Sequence, residues 1–254
     1  MLIKRFERIE ELACHAAELI LNEVAERPDA VLGLATGSTP IGIYEKMVER
    51  YRRGGISFRN VTTFNLDEYV GLPATHEQSY ARYMIGQLFG HTDFDPARTH
   101  IPNGMAADLT AECAAYDALL RKHPVDLQLL GLGHNGHIGF NEPDHALIGG
   151  THVVDLKPAT RAANARFFNN PSEVPTQAIT MGIGSILKAK AILLVVTGAD
   201  KADIVRESLA GPITTACPAS LLQTHANVTV LLDRDAGRKL TDVIDNELLA
   251  HNQC

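Results

Sequence analysis

Short apolar runs alternate with amphipathic stretches along most of the chain, and this rhythm predicts strands separated by helices. VLGLA (31–35), VTTFNL (61–66), DLQLLGLG (126–133), AILLVVTG (191–198) and NVTVLLD (227–233) are nearly continuous apolar runs. That is the pattern of strands buried on both faces. AITMG (178–182) is a shorter candidate strand, followed by a helix around Ile186. Helical spacing marks residues 40–54, 79–90, 108–123, 201–211 and 238–251. Pro40 and Gly54 bound the first of these, and Asp108 opens the third. The opening segment, MLIKRFERIEELACHAAELIL, reads as one amphipathic helix. The fold class expected is α/β, an open and mostly parallel sheet with helices on both faces. No repeat or linker divides the chain, so residues 1–254 are expected to form a single domain. Periodicity weakens over 143–177, a candidate insertion or lid.

Composition narrows the functional classes. The 254 residues are 45% hydrophobic, enough for a full core. A net charge of −7 argues against nucleic acid as a partner, although an acidic protein can still carry a locally cationic pocket. No apolar run is long enough to span a bilayer, and the charged N-terminus does not resemble a signal peptide. The four cysteines (14, 113, 217, 254) are scattered, the pattern of free thiols in a reducing compartment. A cytoplasmic protein acting on a small molecule is expected, as a monomer or small homo-oligomer.

Four segments carry candidate chemistry. Thr36-Gly37-Ser38-Thr39 follows a strand and precedes a helix opened by Pro40. Backbone N–H groups there, with the hydroxyls, can cradle an anion. An ordinary helix cap by Ser38 or Thr39 is the plainer alternative. No Gly-Lys-Ser/Thr follows, so it is not a Walker A loop. Asp67 and Glu68 also lie at a strand end, where an aspartate beside apolar groups can act as a base. The alternative is a capping Asp67 and a solvated Glu68. GLGHNGHIGFNEP (131–143) carries Asn135, His137, Asn141 and Glu142 on a glycine-rich turn. Its GxGxxG spacing is not a dinucleotide site, because Gly139 and Pro143 leave no room for the required helix. His134 and His137 lack a third ligand, so no metal is expected. Arg166 and Lys201 are candidates to neutralise a phosphate held by residues 36–39, or else solvated surface cations.

Read together, LATGSTP (34–40), VTTFNLDEYVGL (61–72), GLGHNGHIGFNEP (131–143), the ARFF segment (165–168) and TGADKA (197–202) resemble the glucosamine-6-phosphate deaminase family along nearly the whole chain. The resemblance implies a Rossmann-like open α/β fold and conversion of D-glucosamine 6-phosphate and water to D-fructose 6-phosphate and ammonia, with no cofactor. It implies Asp67 as the enolisation base, His137 as the ring-opening histidine and Glu142 as its supporting carboxylate. It also implies a phosphate site of Thr36, Gly37, Ser38, Thr39, Arg166 and Lys201. Two departures stand out. Asn135 occupies a position where some members carry aspartate; it can orient an imidazole by hydrogen bonding but cannot stabilise imidazolium by charge. The stretch 149–156, GGTHVVDL, lacks the basic residues that bind an activator in allosteric hexamers, which implies a non-allosteric enzyme. The rival readings are a 6-phosphogluconolactonase-like hydrolase, which needs no carbon-acid base, and a sugar-phosphate sensor without turnover.

Overall fold

The computed structural model describes residues 1–241 together with the backbone of 244 and 245. The chain begins β1 (Leu2–Phe6), α1 (Ile9–Glu26), β2 (Val31–Leu34), α2 (Thr39–Arg52), β3 (Thr62–Asn65), β4 (Asp67–Tyr69) and α3 (Tyr80–Gln87). It continues β5 (Thr99–His100), α4 (Leu109–Lys122), β6 (Leu127–Leu130), β7 (His152–Asp155), α5 (Pro158–Asn164) and β8 (Gln177–Thr180). Then come α6 (Ile183–Ile186), β9 (Ala191–Val196), α7 (Ala202–Ala210), β10 (Val228–Asp233) and β11 (Ile244–Asp245).

Eight strands form one sheet in the order β11-β1-β10-β9-β6-β2-β3-β5, and every pairing in it is parallel. Parallel strands require crossovers that place helices on the sheet faces. Accordingly β2, β3 and β6 are buried along their whole length, as their apolar runs required. The order also reverses. From β2 the chain moves outward through β3 to β5, then returns to β6 and proceeds the other way through β9 to β10. A crevice opens at such a reversal, outside the carboxyl ends of β2 and β6. The loops after β3 and β9 leave the same edge, because all four strands run parallel.

A second, antiparallel sheet, β4-β8-β7, lies outside the main one and places the residues that follow β3. The 178–182 run belongs to it. Part of the weakly periodic 143–177 stretch is thereby placed in a sheet, since His152–Asp155 pairs with Gln177–Thr180.

Three expectations fail. The opening segment is not one helix: Leu2–Phe6 is a strand flanked by β10 and β11, and α1 begins only at Ile9. Five residues with charges at Lys4 and Arg5 carry too little period-2 signal to stand out against the helix behind them. The helix expected over 238–251 is absent where it can be seen. Arg238 and Lys239 lie in a turn and Ile244–Asp245 is a strand; positions 242, 243 and 246–251 fall outside the described residues. Among the cysteines, Cys113 and Cys217 are free and buried, but Cys14 takes part in a disulfide.

Gly104 pins β4 from outside. A Cβ there would sit 1.9 Å from the carbonyl oxygen of Tyr69, and its own carbonyl accepts from Gly71 N at 3.0 Å. Gly104→Ala is expected to destabilise the fold by about 1–3 kcal/mol through forced backbone displacement. Chemical denaturation measures it, and an unchanged midpoint would show that β4 tolerates the shift.

Candidate active site

Asp67 is the first residue of β4, opposite Thr180 of β8, and its side chain is buried. Its carboxyl is pushed up to about 8, first by burial and then by the charge of Glu68 beside it. Glu68 neither lines the crevice with Asp67 nor faces solvent. Consecutive strand residues point to opposite faces, and the Glu68 carboxylate turns to the start of α3. It accepts from Tyr80 N at 3.0 Å, Ala81 N at 2.9 Å and Tyr69 N at 2.8 Å. A carboxylate at that helix terminus satisfies orphan amides and meets the favourable end of the dipole. Burial nevertheless holds Glu68 above its ordinary value, with the three hydrogen bonds acting against it. Both plain alternatives for this pair therefore fail: among the described residues Asp67 caps no turn, and Glu68 is an internal helix cap.

The loop after β6 meets Asp67 at Gly139. A Cβ at Gly139 would lie 3.6 Å from Asp67 Oδ2 and 2.9 Å from Thr180 Oγ1, and the residue has a φ of +58°. Only a glycine fits there without strain. Asn141 fixes the turn by donating to the carbonyls of Ile138 (2.9 Å) and Met181 (2.8 Å), while Thr180 Oγ1 accepts from Phe140 N at 3.1 Å. His137, two residues from Gly139, has its ring packed over Gly133; a Cβ there would fall 2.2 Å from Nε2. Its Nδ1 faces Glu142 Oε2 at 3.6 Å, too long for a good hydrogen bond and so chiefly an electrostatic pairing.

Glu142 is the hub of this half of the site. Asn135 Nδ2 donates to it at 2.5 Å, and Thr160 of α5 donates to its other oxygen. Burial works to raise its carboxyl, but His137, Thr160 and Asn135 outweigh it and hold the group at about 2. Asn135 does not bond the imidazole itself. Its Oδ1 accepts from the His137 backbone N–H at 3.2 Å, so it orients the ring through the loop and through Glu142. Thr160 has no motif to announce it; its partner lies 18 positions away in sequence.

Residues 36–39 and Lys201 leave the same edge of the main sheet. Residues 36–39 form the loop after β2 and the start of α2, next to the β6 loop. Ser38 occupies the N-cap position without a capping side-chain bond, which removes the ordinary-cap reading. Lys201, after β9, donates from Nζ to Leu132 O at 2.8 Å, tying its loop to that of β6. Its ammonium is lowered to about 8 by burial first; Asp200 opposes that shift and Arg166 adds to it. Arg166 therefore lies close enough to act on Lys201. Segment 165–168 is anchored by Phe168, which packs edge-on against Tyr69 at 5.9 Å. His134 meets Asp200 at 2.6 Å on the exposed rim.

Residues 4–231 match the family described as glucosamine-6-phosphate isomerases/6-phosphogluconolactonase. A glucosamine-6-phosphate deaminase of Halothermothrix orenii is 51% identical over 235 residues, 92% of this chain and 98% of that protein. One of Lachnoclostridium phytofermentans is 53% identical over 222 residues, 87% and 94% of the two chains. Among solved structures, a monomeric glucosamine-6-phosphate deaminase superposes with a TM-score of 0.91 at 47% identity, over 94% of this chain and all of that one. A 6-phosphogluconolactonase from Trypanosoma brucei reaches 0.77 at 19% identity over 95% and 99%, a likeness of fold alone.

The two central carboxyls affect stability with opposite sign. Asp67, raised from 3.8 to about 8, keeps a proton in the fold that the unfolded chain has lost, so its contribution declines as pH rises from about 4 to 8. Glu142, lowered from 4.5 to about 2, contributes fully above pH 4.5 and loses that contribution as pH falls towards 2. Asp67→Asn is expected to flatten the decline between pH 4 and 8 and to stabilise the protein at pH 7, by on the order of a few kcal/mol. Denaturation across that range measures it; a slope equal to wild type would contradict the burial of this charge.

Proposed function

Because the chain belongs to the glucosamine-6-phosphate isomerase/6-phosphogluconolactonase family, we propose that it is a glucosamine-6-phosphate deaminase, converting D-glucosamine 6-phosphate and water to D-fructose 6-phosphate and ammonia. The observation that carries this reading over the hydrolase is Asp67. A lactonase has no use for a buried base beside the ring carbons, whereas removal of a C2 proton needs one. A sensor without turnover has no use for a second, oriented acid–base group at His137.

The reaction divides between the two halves of the site. His137 carries the proton from O1 to O5 as the C1–O5 bond breaks, with Glu142 balancing imidazolium and Asn135 holding Glu142. Asp67 then takes the C2 proton while the ammonium's proton passes to O1, giving an enolamine, and Asp67 returns its proton to C1 to leave the C2 iminium. The iminium adds water and releases ammonia, which balances the atoms of the overall conversion. The raised carboxyl suits this work, since a base whose conjugate acid sits near neutrality can both take and return a proton. The substrate's ammonium, bound to the same C2, supplies the missing positive charge and favours the ionised form on binding.

Thr36, Gly37, Ser38 and Thr39 offer N–H groups and hydroxyls to the phosphate, and Arg166 and Lys201 offer charge. Holding the remote phosphate fixes C2 against Asp67. No metal, nicotinamide, flavin or pyridoxal group takes part. The candidate lid lies within 143–177, outside His152–Asp155, which is bonded into the small sheet. The enzyme acts as a monomer or small oligomer without allosteric activation, in keeping with the absence of Arg and Lys from 149–156.

Asp67→Asn is expected to cut ammonia release by at least about 10²–10⁴-fold while the protein stays folded. Near wild-type release would remove Asp67 from the chemistry. In the wild type, kcat/KM is expected to rise with pH towards a plateau above about 8, where free Asp67 is ionised. The limb in kcat should lie lower, because bound ammonium stabilises the carboxylate. A flat kcat/KM from pH 6 to 9 would contradict the assignment.

A further inference from the structure

The loop that leads into α2 is held from behind. Gly37 has a φ of +102°, and no atom would crowd a Cβ at that position. A glycine peptide with open space around it can rotate unless something holds it. The Gly37 carbonyl accepts from the Tyr83 hydroxyl at 2.7 Å. Among the described residues no other group donates to that oxygen. Tyr83 stands on α3, the helix whose first turn is held by Glu68, the neighbour of Asp67. Burial raises its phenol above the ordinary value, so the hydroxyl keeps its proton at any physiological pH.

The stereochemistry of one peptide gives this bond its consequence. The carbonyl of Gly37 and the N–H of Ser38 belong to the same planar trans unit and point in opposite directions. A hydroxyl that holds the oxygen towards α3 therefore holds the Ser38 N–H away from α3. The Ser38 N–H makes no hydrogen bond among the described residues, and its side chain leaves the helix start uncapped. An anion placed there meets a fixed donor in place of one that must first be oriented.

We propose that Tyr83 is a positioning residue for substrate: through Gly37 it sets the Ser38 amide for the phosphate, and through α3 and Glu68 it ties that cradle to the segment bearing Asp67. This rests on the assignment of residues 36–39 as the phosphate cradle. The Tyr83 hydroxyl is committed to Gly37 and reaches substrate only through that peptide, so its loss should weaken phosphate binding without slowing the bound reaction. A hydroxyl kept merely for stability would move the melting temperature and nothing else.

The test is Tyr83→Phe, with Arg166→Ala alongside. For Tyr83→Phe, KM for glucosamine 6-phosphate and the inhibition constant of inorganic phosphate should both rise about three- to tenfold, with kcat within about twofold of wild type. If both constants are unchanged while Arg166→Ala raises them, the role given to Tyr83 is wrong and the cradle stands. If neither variant moves them, the cradle assignment fails and this inference falls with it. A fall in kcat at constant KM, or a Tyr83→Phe protein that does not fold, would also overturn it.

Discussion

A carboxyl buried without a cation is the constraint around which this molecule is arranged. Among the described residues no cation pairs with Asp67, and the charge that acts on it is that of another acid, Glu68, so burial and repulsion both favour the protonated form. Such a group costs stability as pH rises, and a fold keeps it only if its surroundings are firmly built. Here they are. The antiparallel β4–β8 pair holds the backbone, Gly104 closes it from one side, and Gly139 brings the neighbouring loop within contact of Oδ2. Glu142 is the counterpart, equally buried but amply bonded, and remains an anion well below the ordinary carboxylate range. Two acids with opposite environments can divide acid–base work at one pH.

The parallel sheet makes the meeting possible. Residues 36–39, 67, 135–142 and 201 are far apart in sequence, yet each follows the carboxyl end of one of four contiguous strands, β3-β2-β6-β9. The crevice lies where strand order reverses. The smaller sheet adds what the main sheet cannot, turning the chain after β3 so that Asp67 is enclosed. Segment 157–168 then brings Thr160 to Glu142 and Arg166 near Lys201.

Much of this was legible in sequence, for identifiable reasons. The runs at 31–35, 61–66, 126–133, 191–198 and 227–233 are apolar on both faces and could only be central strands. α4 announced itself through Asp108, which caps it by accepting from Ala111 N at 2.9 Å. Asp67, His137 and Glu142 stood at strand ends within recognisable motifs. What stayed hidden depends on partners distant in the chain. β1 exists because β10 and β11 flank it, and nothing in LIKRF reveals that. Glu68 looked like half of an acidic pair; its role is set by amides 12 and 13 positions later. The roles of Thr160 and Tyr83 rest on single hydrogen bonds across 18 and 46 positions.

Infrared spectroscopy reads the protonation state of Asp67 itself. Infrared difference spectra of wild type against Asp67→Asn, recorded from pH 5 to 10, isolate its carboxyl band. A protonated carboxyl at pH 6 that ionises near pH 8 is the expected result, with the transition moving lower once glucosamine 6-phosphate is bound. A carboxylate already ionised at pH 5 would contradict it.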